Sequence, residues 1–321
     1  MTDKKSTLYL DLYQEIYGLI RQIPLGRVST PRDISEALGD ARANRAVLEI
    51  IRSAEPSPDL PVHRVVSGRG KPLHPGRSGE LCLESLRGEG VEIVGEIVAH
   101  LEERLFRSFV TSSPLRWFRE LQEKMAREVV LEDRFEGPVE AVAGVDVAYR
   151  GRRGFGACVV MDRGFGVLEE VGVEAEVSFP YISSYLALRE GPLIMRALEE
   201  VEEPFQALMI NGHGIAHPRG CGLATHIGLI LKDKPTIGVA ARRLVGEVGQ
   251  EGGRWSPLEY RDRIVGAEIR RRGRGAVYVS PGNNITLERS LEVVEAFLGR
   301  HRLPEPLWRA HNKARALSRG R

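Results

Sequence analysis

Three groups of side chains in this sequence have chemistry to offer: the thiols, the carboxylates beside apolar runs, and the arginines of one short helix. Cys82, Cys158 and Cys221 are odd in number, far apart and in no metal-ligand spacing. They signal neither a disulfide framework nor a zinc site, and read as reduced packing residues. Asp146 ends the apolar run that begins at Val142, and Glu190 lies on a helix that follows a loop. A lone carboxylate after an apolar run is usually a turn residue, so neither assigns a function by itself. Gly212, His213 and Gly214 offer part of a glycine-rich dinucleotide loop, but that fingerprint is incomplete. Arg42, Arg45 and Arg52 share a predicted helix, Ala41–Ser53, behind the turn at Gly39 and Asp40. Helix, glycine turn, helix is the pattern that lays its second helix in a DNA groove, although two such helices commonly just pack.

The elements that must position these groups fall into two textures. At 321 residues the chain exceeds what a single core usually serves, and with 42% apolar and 28% charged residues both halves can bury cores. The first hundred residues read as helices: Leu8–Ile23 on an apolar stripe ended by Pro24 and Gly26, then Pro31–Leu38 capped by Thr30. Past Ser113 the chain turns strand-rich. Strands are predicted at Val139–Tyr149, Gly156–Met161, Val167–Val177, Gln206–Ile210, Thr236–Ala240, Ile264–Arg270 and Ala276–Ser280. Helices at Ser184–Glu202, Gly222–Leu231 and Leu287–Leu298 intervene. The expectation is a mixed sheet with helices on both faces, with domains at 1–113 and 114–321. No run of some eighteen apolar residues suggests a membrane span, and the protein is expected in the cytosol. Net charge is only +2, but Arg300 to Arg321 holds seven basic residues and one acid, the pattern of a basic tail near phosphates.

Ile23 to Ser29 (Ile-Pro-Leu-Gly-Arg-Val-Ser), Ala43 to Val47 and Leu60 to Val66 stand in the order of the DNA-binding domain of O6-alkylguanine-DNA alkyltransferases, which the segment from about Leu12 to Val91 resembles. The resemblance implies a winged helix-turn-helix type of domain that enters the minor groove, with Arg45 as the finger replacing a flipped base. Arg42 and Thr30 fall beside it, Thr30 where the family has a tyrosine next to the flipped nucleotide. The family's acceptor cysteine is Val62 here, so the segment is closer to alkyltransferase-like proteins, which bind alkylated bases without repairing them. Cys82 reads as core and His63 as structural.

From about Leu121 onward the chain resembles endonuclease V. The motifs are Val142 to Tyr149, Phe179 to Pro192, Ile210 to Arg219, Lys234 to Ala240, and Val279 to Asn283 with the tail from Arg302. The resemblance implies a ribonuclease H-like fold that nicks DNA 3′ to deaminated bases such as deoxyinosine, using Mg²⁺, with Mn²⁺ as a substitute. Asp146 and Glu190 then fall on metal ligands and Tyr181 on the wedge at the lesion. Gly212 and Gly214 fall on the lesion-pocket loop, where a missing side chain lets a base approach the backbone, and His217 falls beside them. Asn211 stands where the family has a metal-binding aspartate, Ala241 where it has a lysine, and Asn283 where a histidine lies near the attacking water. Arg242 or Arg243 offers a cation close to the missing lysine.

Two functions are thus in play. One is a DNA-repair fusion that recognises damaged bases and nicks beside them. The other is a lesion-binding sensor that has lost both chemistries. A transcription regulator built on the helix-turn-helix leaves Asp146, Glu190 and Tyr181 without a purpose.

Overall fold

A computed structural model describes every residue except 1–3, 56, 58, 136, 251, 252, 272 and 321. The chain divides into two compact units. One comprises Asp11–Glu120 with Phe179–Ser183; the other comprises Met1–Leu10, Leu121–Ser178 and Ser184–Arg321.

The first unit is mainly helical, with α1 at Leu12–Arg21, α2 at Pro31–Ala37, α3 at Asn44–Ser53, α4 at Gly76–Gly88 and α5 at Leu101–Arg104. A two-stranded hairpin, β1 (Ile93–Val94) with β2 (Ile97–Val98), joins α4 to α5. Helix α1 starts at Leu12 rather than at Leu8, because Asp11 caps it by accepting from Gln14 N. Residues Ser6–Leu8 form a separate 3-10 turn. Thr30 caps α2 in a capping box with Asp33, and Pro31 holds the first turn. The helix expected from Ala41 is split: Ala41–Ala43 is a 3-10 turn whose leading Asp40 accepts from Arg42 N, and α3 proper follows. Val28, Val66, Leu86, Val91, Val98 and Leu105 form one core cluster under this arrangement.

Helix α6, Pro114–Ala126, contains the point where the division falls. Beyond it, among the described residues, a nine-stranded sheet runs in the order β5-β4-β3-β6-β7-β11-β10-β9-β8. Its strands are β3 (Ala141–Arg150), β4 (Arg153–Asp162), β5 (Val167–Glu176), β6 (Ala207–Asn211), β7 (Thr236–Ala240), β8 (Glu247–Val248), β9 (Ser256–Tyr260), β10 (Arg263–Arg271) and β11 (Gly275–Asn283). The pairs β3·β6 and β6·β7 are parallel and the rest antiparallel, so the sheet is mixed as expected. Helices α7 (Leu186–Glu199), α8 (Leu223–Leu231), α9 (Leu287–Ala296) and α10 (Glu305–Ser318) pack on it. The run read as a basic tail is therefore mostly the helix α10. Its Leu307, Ala310 and Ala314 are fully buried, and it fits closely because Gly144 of β3 lacks a side chain. A Cβ there would lie 2.5 Å from the Pro306 carbonyl carbon.

Candidate active site

Register across the parallel strands creates the site. Gly144 and Val145 of β3 pair with Met209 and Ile210 of β6, so Asp146 and Asn211 come out side by side where the parallel pairing of the two strands ends, toward the carboxyl side on which open α/β sheets bind their ligands. Asp146 is 5% exposed and Glu190, on α7, is 9% exposed. Asn211 Nδ2 donates to Asp146 Oδ1 at 2.9 Å. The other carboxylate oxygen, Oδ2, lies 2.6 Å from His311 Nδ1, and because that nitrogen faces a carboxylate it carries the proton, leaving Nε2 as the ring's acceptor. His311 comes from α10, the helix that a reading of the basic residues as a tail misses. The apolar spacing of Leu307, Ala310, Ala314 and Leu317 was the signal available for it.

Of the two buried carboxylates, Glu190 carries the strain of the pairing. Burial first, and the nearby Asp146 second, push Glu190 up to about 8, against smaller opposing effects of the Tyr149 hydrogen bond and Arg189. Tyr149 Oη donates to Glu190 Oε1 at 3.3 Å, and the Arg189 guanidinium lies over the Tyr149 ring, 4.0 Å from its centroid. Among the described residues no three His, Cys, Asp or Glu side chains form a metal-holding group. What exists is a carboxylate pair, one amide and one imidazole.

Other expected residues take different places. Asn283 is not near this cluster. It pairs with Thr236 at the start of β7, whereas Asn211 pairs with Val239 near that strand's end. Its amide is buried and structural, accepting from Val130 N at 3.0 Å and donating to Gly228 O at 3.4 Å. The histidine beside Asp146 is His311 instead. His217 is 3% exposed and faces inward. Its Nε2 lies 3.1 Å from Ser184 O, and its Nδ1 accepts from Arg219 N. Arg219 also donates to Ser184 O, to Ser184 Oγ and to Gln122 Oε1. His217 and Arg219 thus clamp Ser184, a residue held at φ +67. Gly214 is required by packing: a side chain there would meet Pro281 O, and its N donates to Ser280 Oγ. Gly212 is looser, its nearest neighbour being Leu223 Cδ2 at 3.2 Å. Ala241 follows β7 on the Asn211 side of the sheet, and the guanidinium at its carbonyl is that of Arg302, at 2.6 Å. Arg243 instead donates to Gly246 O. Tyr181 is 67% exposed, a large ring offered to solvent.

In the helical unit Val62 is fully buried at the head of the 3-10 turn Val62–Arg64. His63 Nε2 and the Arg64 guanidinium both contact Glu89. Burial raises the Glu89 carboxyl, but hydrogen bonds from Arg64, His63 and Gly26 N outweigh it and hold the group below its ordinary value. His63 is thus structural. Cys82 is 3% exposed, and burial pushes its thiol up, which makes it inert. Arg45 projects from the start of α3, 89% exposed and bonded only to Glu49 one turn away in the contacts described. Arg42 is tied to Asp40 at 2.6 Å. Thr30 spends its hydroxyl on the α2 cap and on Asp33 rather than on a ligand. It nevertheless lines a cavity of about 560 Å³ with Asn44, Arg52, Ser67 and Arg107.

Residues 123–312 match the family model of endonuclease V, and residues 11–91 match that of the 6-O-methylguanine DNA methyltransferase DNA-binding domain. A bifunctional methyltransferase/endonuclease of Picrophilus torridus is 33% identical over 97% of this chain and 98% of its own. An endonuclease V of Roseiflexus castenholzii is 41% identical, covering 58% of this chain and 86% of its own. The crystal structure of endonuclease V from Streptomyces avermitilis superposes with a TM-score of 0.58 at 33% identity, covering 63% of this chain and 92% of that one.

Proposed function

Because this chain belongs to the endonuclease V family and carries an alkyltransferase-type DNA-binding domain ahead of it, we propose that it recognises damaged bases in DNA and nicks the strand 3′ to deaminated ones such as deoxyinosine. The observation that carries this reading is the convergence of Asp146, Glu190, Asn211 and His311 from four separate elements at one end of the sheet. Groups so distant in sequence meet there with both carboxylates buried, an arrangement costly to keep for packing alone.

The family is metal-dependent, and the donor set suits a hard divalent cation. Asp146 and Glu190 supply carboxylate oxygens, and the elevation of Glu190 by burial and by Asp146 is what a cation relieves. Mg²⁺ accepts one or two carboxylates completed by water and substrate phosphate. Asp146 and Glu190 would hold it, with the amide oxygen of Asn211 once that side chain turns from its hydrogen bond. When bound, the ion polarises the scissile phosphate and lowers the pKa of water. The chain's own part is positional. Asp146 fixes the His311 ring through Nδ1, so that Nε2 receives or returns the proton of the hydrolytic step. Arg189 and Tyr149 hold the Glu190 carboxyl in place.

Asn211 and Ala241 reduce the charge available for this chemistry, so cleavage is slow rather than absent. A duplex with a single deoxyinosine, incubated with excess protein and Mg²⁺ or Mn²⁺, is expected to be nicked 3′ to the lesion. His311→Ala should lower that rate by about 10²-fold or more. A His311→Ala protein that nicks at the parental rate would remove His311 from the mechanism. Cleavage of undamaged duplex at equal rate would remove lesion specificity.

The N-terminal domain supplies recognition without transfer. Val62 has no nucleophile and Cys82 is sealed in the core, so incubation with O6-[³H-methyl]guanine DNA should leave the protein unlabelled while the lesion duplex is still bound. Arg45→Ala should weaken binding to that duplex more than to plain duplex. Label on Cys82, or equal losses on both duplexes, would contradict the respective assignment.

A further inference from the structure

A second cavity, of about 320 Å³, lies in the larger unit and takes no part in the chemistry above. It is lined by Met161, Phe165, Arg300, Glu305, Trp308 and Arg309, among others. Two of its walls are aromatic. Trp308 of α10 is stacked on His301, ring centroids 3.5 Å apart and planes 5° from parallel. That stack is a constructed feature. His301 Nδ1 lies 2.8 Å from Glu305 Oε2, and His301 N donates to Glu305 Oε1. Glu305 is only 8% exposed, and it reaches this position because Gly299 has no side chain to collide with it. Phe165 stands at the tip of the β4–β5 hairpin, 41% exposed, at a φ of +66 that aromatic residues rarely adopt. The turn is pinned by Phe165 N to Asp162 O at 3.0 Å and Asp162 N to Gly166 O at 2.9 Å. At the mouth, Arg300 and Arg309 are exposed and form no ion pair among the described residues.

Flat aromatic walls with cations at the rim are the chemistry of a stacked nucleobase whose phosphates run outside. Helix α10 continues past the cavity. It carries Arg315 and ends on Arg319, and one turn after Trp308 it presents His311 to Asp146. We propose that this cavity takes a base of single-stranded DNA, so that Trp308, Phe165, Arg300 and Arg309 hold the strand away from the lesion. The reading goes beyond the nicking activity, because the contact needs neither a damaged base nor a metal ion.

The experiment uses the full chain in EDTA with a lesion-free oligothymidylate long enough to extend past one site. Binding should quench tryptophan fluorescence, and Trp308→Leu should remove most of that quench and weaken binding about tenfold. Arg300→Gln with Arg309→Gln should flatten the salt dependence by about 1.4 in log–log slope, two single-strand phosphate contacts being lost. Phe165→Ser, at an exposed turn, gives a variant whose folding is secure and should weaken binding in the same direction. Unchanged affinity in Phe165→Ser and in a folded Trp308→Leu overturns the proposal. So does thymidine monophosphate competing as strongly per molecule as the oligonucleotide, which would mark a free-nucleotide site. Loss of deoxyinosine nicking with these results intact would instead count against the nuclease reading alone.

Discussion

Asn211→Asp combined with Ala241→Lys is expected to raise nicking of a deoxyinosine duplex by about 10²–10⁴-fold over the parent protein. The first change places a carboxylate where the Asn211 amide now donates to Asp146 at 2.9 Å. The cost in the metal-free protein should be visible, since a hydrogen bond becomes a repulsion between like charges next to the already elevated Glu190. The variant should therefore melt lower than the parent in EDTA, and Mg²⁺ or Mn²⁺ should restore it by a larger shift than the parent shows. Ala241→Lys adds an ammonium on the Asn211 side of the sheet, next to a carbonyl now held by Arg302. Asn283→His should contribute nothing to the rate. It replaces an amide that serves Val130 and Gly228 at the far end of β7, and the outcome should be lost stability alone. Single-turnover rates and melts with and without metal distinguish these results. A double variant that binds metal and lesion yet nicks no faster would show that the deficiency lies elsewhere in the site.

The pH dependence of the metal site should be steep, and Glu190 should carry it. With its carboxyl pushed up to about 8, chiefly by burial, Glu190 keeps its proton at neutral pH. A cation must displace that proton, so apparent affinity for Mg²⁺ or Mn²⁺ should rise by nearly tenfold per pH unit up to about 8, then level off. Stability without metal should run the other way. The native state binds a proton that the unfolded chain has released, so unfolding free energy falls as pH climbs from about 4.5 to about 8, by up to about 1.4 kcal/mol per pH unit. Glu190→Gln should flatten both curves, leaving a protein that binds metal poorly at every pH and is more stable than the parent above pH 8. Calorimetric titration at several pH values reads the first effect and chemical denaturation the second. A parent protein with metal affinity flat from pH 6 to 8 would show that Glu190 is already ionised.

The sequence by itself determined the strands that carry the site and the residues at their ends. Apolar runs such as Val142 to Val145 and Ala207 to Ile210 read as buried strands and are buried strands, and the order of motifs around Asp146, Glu190 and Asn211 was legible without coordinates. So was the loss of thiol chemistry at Val62, because a missing nucleophile needs no geometry to be noticed. Local signals also placed the caps, Thr30 and Pro31 at α2 among them.

Only the tertiary structure decided which side chains meet. His311 was hidden because a run rich in arginine reads as a solvated tail, while the face that buries α10 is short, Leu307 with Ala310 and Ala314, and its close seat on the bare backbone at Gly144 is visible only in the fold. Ala241 follows β7 and Asn283 closes β11, yet the antiparallel register of those two strands sets them at opposite ends of the pair. His217 and Gly214 belong to a motif that looks ligand-facing, but the loop turns them inward, onto Ser184 and Pro281. Sequence periodicity records whether a residue is buried. Which neighbour buries it depends on register and on the approach of distant helices, and these are set by packing across the whole sheet.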